Sequence, residues 1–378
     1  MTWIAWRMLI GNRGKYLGIV LGIAFAALLI AQQASIFCGL MNMTTGQIRD
    51  VKGVEIWVMD RNVEFIDDIK PLSENDLYRV RGVAGVEWAV RFYKGLARAR
   101  LADGKFQQMI LLGLDENSLV AAPAEMLVGS LRDLYQPDAL IIDDAGYAQL
   151  WPNEPYQVGK VIEMNDRRGV VVGVCKASRT FQTFPIVYTR FSQAVQYAPA
   201  ERKVLSFVLA KAEPGRSPEE VCDAIEMQTG LSARTQEEFV WDTIWYYMKN
   251  TGIPMNFGIT VLLGFLVGTA IAGQTFYLFT VENIRQFGAL KAMGTSNLRI
   301  VGMVMLQALQ VGVIGFGLGV GGAAGFGLIA KRTAKLAFLM PWQVLAITAG
   351  AVLVIVLLTS VLSVRKVLVV EPAIVFKG

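Results

Sequence analysis

The 378-residue chain contains no histidine, which excludes histidine triads, histidine general bases and histidine metal sites. Cysteine is nearly as scarce. Cys38, Cys175 and Cys222 form no CxxC pair and no disulfide framework. Cys175 and Cys222 are expected as free buried thiols, with a bridge between them open if their segment lies outside the cytoplasm. Charge is short as well: 18% of residues are Asp, Glu, Lys or Arg, against about a quarter in a soluble domain. No GxxxxGK[ST] phosphate loop occurs, so any ATP that drives this protein is bound by another chain.

The missing charges are concentrated in four places. Tyr16 to Ile48, Asn250 to Val281, Ile300 to Ala330 and Leu336 to Val364 hold no charged residue. Each exceeds the roughly 20 residues that cross a bilayer core of about 30 Å. The first stretch is too long for a signal-peptide core and lacks a following A-x-A site, so it is read as an uncleaved helix. Trp3 and Trp6 before it suit the headgroup level. The sequence predicts four membrane helices, with a large soluble segment between the first and second.

The net charge of +5 divides unevenly. Outside residues 49–249 lie twelve Lys or Arg and two Glu, whereas inside lie 24 Lys or Arg and 29 Asp or Glu. The basic balance therefore belongs to the membrane flanks, and the soluble segment is mildly acidic, which sets aside nucleic-acid binding. Cations near both ends and before the third span predict cytoplasmic termini, with residues 49–249 on the other side of the membrane. Lys331, Arg332 and Lys335 go against that count and are read as snorkelling groups.

Residues 49–234 alternate strand and helix signals and predict one extracytoplasmic α+β domain. Strand-like runs occupy Val54–Met59, Val86–Val90, Gly95–Leu101, Phe106–Leu114, Val158–Met164, Gly169–Val174 and Val204–Lys211. Asp103-Gly104 and Asn165–Arg168 read as hairpin turns. Ser73 with Asp76, and Thr235 with Glu238, have the spacing of capping boxes at helix starts. Thr235–Lys249 is then either a stalk running rigidly into the second span or a helix packed on the soluble domain. The resulting division is 1–48 for the N-terminus and first span, 49–234 for the domain, 235–252 for the stalk, 253–364 for the remaining spans, and 365–378 for the tail.

The spans carry amides and hydroxyls (Gln32, Gln33, Thr269, Gln274, Gln307, Gln310, Thr348) but no ionisable relay, which disfavours proton or sodium coupling. Gly18 and Gly22, Gly264 and Gly268, and Gly317, Gly321 and Gly325 recur at four-residue spacing and are candidate helix-packing ridges. No acid, base or metal constellation marks an enzyme.

The segment Glu282–Gly294 carries the most information. A short surface helix over Glu282–Met293, closed by Gly294, would place Ile284, Phe287 and Leu290 on one edge and leave Arg285 and Lys291 to a partner. Glu282, Arg285, Phe287, Gly288, Leu290, Lys291, Ala292, Met293 and Gly294 resemble the cytoplasmic coupling motif of the FtsX-like permeases, the MacB-like membrane subunits of type VII ABC transporters. Gln286 departs from the Glu that the family often has there. Glu371, Pro372 and Ala373 resemble the family's C-terminal motif, and the Phe287–Gly294 wording is similar to the DevC-type branch.

That resemblance implies a homodimer in a bacterial inner membrane with two copies of a separate ATPase. It also implies a periplasmic adaptor of membrane-fusion type and an outer-membrane duct, with ATP-driven motion transmitted to the outer domain. Export of an amphiphilic or lipid-like substrate is the leading expectation. Lipoprotein extraction, or regulation of an external cell-wall hydrolase without transport, are the alternatives.

Overall fold

The computed structural model describes residues 2–198, 205–333 and 336–369. The chain divides into two compact units, one of 1–40 with 252–378 and one of 41–251.

The first unit is helical. It contains α1 (Thr2–Gly11) and most of α2 (Arg13–Thr44), whose last turn belongs to the second unit. The second unit opens with α3 (Gly46–Asp50), β1 (Ile56–Met59), α4 (Glu74–Arg81), β2 (Val86–Arg100), β3 (Phe106–Leu114) and β4 (Glu125–Val128). It continues through β5 (Ala139–Asp143), α5 (Asp144–Leu150), β6 (Val161–Met164), β7 (Arg167–Lys176), β8 (Ile186–Arg190) and α6 (Phe191–Tyr197). It ends with β9 (Phe207–Ala212), α7 (Pro218–Thr229), β10 (Ser232–Thr235) and α8 (Gln236–Asn250). The chain then returns to the first unit in α9 (Ile253–Glu282), α10 (Ile284–Ala292), α11 (Asn297–Thr333) and α12 (Trp342–Leu368). Four of these helices, α2, α9, α11 and α12, are long and apolar enough to cross a membrane.

In the helical unit, the small residues of α2 and α9 meet. A Cβ on Gly268 would lie 2.2 Å from the Ala26 Cβ, and one on Gly22 would lie 2.9 Å from the Ile271 side chain, so only glycine permits this approach. Gly18 and Gly264 face Thr275 and Leu29 less tightly. The third span departs from expectation. Gly317, Gly321 and Gly325 have open space where a Cβ would lie, and the close contacts fall on Gly315 against Ile23 and Gly319 against the Ala24 carbonyl. Two interleaved four-residue series run along α11 on different faces, and spacing alone does not distinguish them. Within the spans, the Thr269 and Thr348 hydroxyls donate to the carbonyls four residues back.

The second unit is built on a ten-stranded sheet in the order β10-β1-β9-β2-β3-β8-β5-β7-β4, with β6 paired to β2 and β7. Pairing is antiparallel except at β3–β8 and β5–β7. One face is covered by Leu77 and Val80 of α4, Tyr147 of α5, Phe191 of α6 and Ile225 of α7. The other packs against Ile48 of α3 and Phe239 of α8, around Trp57, Phe92 and Phe207. Trp57 is fully buried, with ring centroids 5.5–5.8 Å from Phe92, Phe207 and Phe239. Cys222 lies in the first layer and Cys175 in the second, and both are free. Burial pushes both thiols up, Cys222 to about 12, so neither supplies a thiolate.

The Ser73–Asp76 and Thr235–Glu238 capping boxes both form. Asn165 and Asp166 sit at φ +50° and +56°, the conformation of a two-residue hairpin between β6 and β7. The two strands read at 86–90 and 95–101 are one 15-residue strand, because β2 pairs with β9 through Phe92 and with β3 from Tyr93 onward. The helix at Thr235–Lys249 packs on the sheet through Phe239, Val240, Thr243 and Tyr247. It is not continuous with the second span. Thr251 is extended at φ −121° and ψ 154°, its hydroxyl taking the Tyr247 carbonyl, and Pro254 opens the next helix.

Asp143 joins two elements: its carboxylate accepts from Gly146 N–H at 3.0 Å and from Ile186 N–H at 2.7 Å. Burial raises its pKa from 3.8 to about 6, with Asp144 adding to the rise and the two N–H donors opposing it. The native state therefore holds the proton more tightly than the unfolded chain. This contribution is fully present below pH 4 and is lost as pH rises through about 6, a change of about 3 kcal/mol. Melting wild type and Asp143→Asn across pH 4–7 should show the wild type losing stability relative to the variant over that window.

Candidate functional site

The segment joining the second and third spans begins with a break. The Asn283 side-chain amide donates to the Phe279 carbonyl at 2.8 Å, which satisfies an acceptor of the last turn of α9 and allows the chain to turn. The surface helix expected over Glu282–Met293 is therefore shorter. Glu282 ends α9, and α10 covers Ile284–Ala292. Gly294 closes it at φ +87°, with Thr295 N–H bonding Leu290 O at 3.0 Å and Gly294 N–H bonding Lys291 O at 2.9 Å. These two bonds form a Schellman motif, and the left-handed conformation accounts for the glycine.

One face of α10 is inside. Phe287 is fully buried in the cluster with Leu9, Phe279 and Ile300, and Leu290 packs with Ala5 and Met303. Arg285, Gln286, Ala292 and Met293 are exposed on the opposite face, Met293 at 74%. Lys291, expected to await a partner, instead donates to the Val367 and Leu368 carbonyls at 3.0 and 2.9 Å. It caps the end of α12, where a cation suits both the free carbonyls and the helix dipole.

Glu282 also has an internal partner. It pairs with Lys15 of α2 and lies 3.4 Å from the Asn12 amide. Beside this pair an open cleft of about 500 Å³ is lined by Arg7, Met8, Asn12, Glu282, Asn283 and Gln286. Its α1 wall was not read from the sequence, which assigned only an interfacial role to Trp3 and Trp6. The signal lay in Ala5, Met8 and Leu9, which turn one face of α1 inward, while Gln307 of α11 donates to the Ala5 carbonyl at 2.9 Å. Glu371, Pro372 and Ala373 lie outside the described residues. Among the described residues, no cluster of acidic or thiol side chains could hold a metal ion.

Two family models divide the chain between them. The MacB-like periplasmic core domain matches residues 16–228, and the FtsX-like permease C-terminal model matches 241–372. This chain belongs to the FtsX-like, MacB-type ABC transporter permeases. An uncharacterized ABC transporter permease of Mycobacterium tuberculosis, found in two strains, is 32% identical over 340 residues, spanning 87% of this chain and 86% of the relative. Among solved structures, the extracellular domain of the noncanonic ABC-type transporter YknZ from Gram-positive bacteria is 17% identical. It covers 48% of this chain and 98% of that one at a TM-score of 0.36. The periplasmic region of MacB from Actinobacillus actinomycetemcomitans is 15% identical, over 54% of this chain and 96% of that one at 0.38. The assignment rests on the family models and the mycobacterial relatives. The protein is thus a multi-pass membrane permease subunit with an extracytoplasmic α+β segment, and its family implies an ATPase partner.

The two faces of α10 should separate on mutation. Phe287→Ala removes a fully buried ring and should cost about 3–5 kcal/mol of stability. Arg285→Ala and Gln286→Ala, on the exposed face, should stay within about 0.5 kcal/mol, all measured by unfolding of the purified full chain.

Proposed function

We propose that this permease couples ATP hydrolysis on two copies of a separate ATPase to motion of its extracytoplasmic unit, as a homodimer in a bacterial inner membrane. The carrying observation is the division of α10, with Phe287 and Leu290 anchored inside, Arg285 and Met293 exposed, and Gln286 exposed at the edge of an open cleft. A helix held this way passes a push on its outer face to the spans it is packed against. Arg285 would pair with an acidic group of the ATPase, and Met293 would supply adaptable apolar contact. ATP and Mg belong to that partner. Both termini are then cytoplasmic, in keeping with the Lys and Arg counts.

On the far side, motion would enter the sheet through α3 and α8. The Gln236 amide of α8 donates to the Ile48 and Val51 carbonyls at 2.6 and 3.0 Å, and Phe239 of the same helix packs on Trp57. Coupling through a distance needs such an element, one whose position both ends can bias. The spans of this family member carry no ionisable relay, which supports force transmission over ion-coupled carriage. The proposed output is export of an amphiphilic or lipid-like molecule, with a membrane-fusion adaptor and an outer-membrane duct. The Phe287–Gly294 sequence supports a DevC-type placement within the family.

The double variant Arg285→Glu, Met293→Glu should reduce recovery of the ATPase with the tagged permease by about tenfold or more, equivalent to ~1.4 kcal/mol. Its melting temperature should match the wild type. Undiminished recovery of the ATPase would remove α10 as the docking helix.

A further inference from the structure

In the extracytoplasmic unit, a cavity of about 310 Å³ lies beside Lys94 of β2. It forms where β2 changes neighbours. Pairing with β9 ends at Phe92–Phe207, and β6 reaches only Ala99 and Arg100. The Ser206 hydroxyl stands in for the missing strand, accepting from Lys94 N–H at 3.0 Å and donating to Lys94 O at 2.9 Å. The strand edge is satisfied by one side chain, which leaves room beside it. Ile69, Pro71, Leu96 and Leu205 supply apolar walls.

The Lys94 side chain is 3% exposed, which is costly for an ammonium unless it is paired. Its Nζ bonds the Asp67 carboxylate and, at 3.2 Å, the Ile66 carbonyl. An ammonium has three donors, and among the described residues these acceptors take two. Burial lowers its pKa, and Asp67 opposes that shift. Asp67 is the more exposed partner, at 26%. Its carboxylate also acts on the Tyr247 hydroxyl of α8, adding to the upward pKa shift that burial imposes there. The preceding Phe65 stacks on Tyr246 at 3.9 Å and meets Tyr247 edge-on. One carboxylate therefore links the cavity to α8.

We propose that this cavity is a subsite for a small organic anion with an apolar body, which takes Lys94 from Asp67 and thereby loosens the 60–71 segment from Tyr246 and Tyr247. The anion's head replaces the aspartate at the ammonium, and its body occupies the walls formed by Leu96 and Leu205. The exchange conserves charge at Lys94 while freeing Asp67, so occupancy is reported to α8 through Tyr247. Only the use of that report in driving transport rests on the function proposed above.

The test uses the full chain in lipid nanodiscs with octanoate as the probe and octanol as its neutral match. Titration calorimetry should show saturable binding of octanoate, and binding at least about tenfold weaker for octanol, for Lys94→Met and for Leu96→Trp. Leu96→Trp fills the cavity without touching the ion pair, so it decides the matter if Lys94→Met does not fold. Hydrogen exchange at 246–250 should rise with octanoate in wild type and stay level in Tyr247→Phe, which still binds. Octanoate isotherms unchanged in Leu96→Trp, or octanol binding as tightly, would overturn the subsite. An exchange response in Tyr247→Phe equal to wild type would overturn the link to α8. Neither measurement involves the ATPase, so failure of α10 docking leaves both results readable.

Discussion

The pairing of β1 with β10 sets the terms for the rest of the extracytoplasmic unit. β1 is the first strand after the chain leaves α2 and α3, and β10 is the last before α8. Ile56 is in register with Thr235, and Met59 with Ser232. Entry and exit are therefore neighbouring strands of one sheet, although some 170 residues separate them in the chain. Gln236 extends that join to the helices by holding two carbonyls at the end of α3. Six of the ten strands continue in one path beyond β9, with β6 paired alongside β2 and β7, and all of them hang from this double attachment.

In the helical unit the corresponding constraint is the hydrocarbon itself. It excludes ionised groups and unpaired backbone, so specificity there comes from how closely backbones approach. Gly22 and Gly268 let α2 and α9 meet, and Gly315 and Gly319 bring α11 onto α2. The charged and turning parts are consigned to the ends, where Lys291 closes α12 and Lys15 holds Glu282. These two ion contacts leave Arg285 as the cation of α10 that faces outward.

Features set by neighbouring residues were legible in the sequence. The four spans follow from absent charge, the capping boxes from Ser73 with Asp76 and Thr235 with Glu238, and the hairpins from Asp103-Gly104 and Asn165-Asp166. Features set by distant partners were not. Continuity of β2 through Gly95 depends on β9 and β3 taking it over in turn, and the buried strands β5 and β8 have no alternation to announce them. The same limit applies at the candidate site. Phe287, Leu290 and Gly294 could be placed from spacing, whereas the Asn283 break rests on one side-chain bond. The engagement of Lys291 depends on residues 76 and 77 positions away. Which glycine series of α11 packs inward is likewise decided by Ile23 and Ala24, far off in the chain.

The extended Thr251 has a mechanical corollary. An unbroken helix such as α2, running from Arg13 to Thr44, resists flexure and torsion along its length. Two residues separate α8 and α9, Thr251 in extended conformation and then Gly252, so no single helix carries that stiffness from one to the other. The two polypeptide connections into the sheet thus differ in kind: α2 enters as one continuous helix, and the return passes through a helix break.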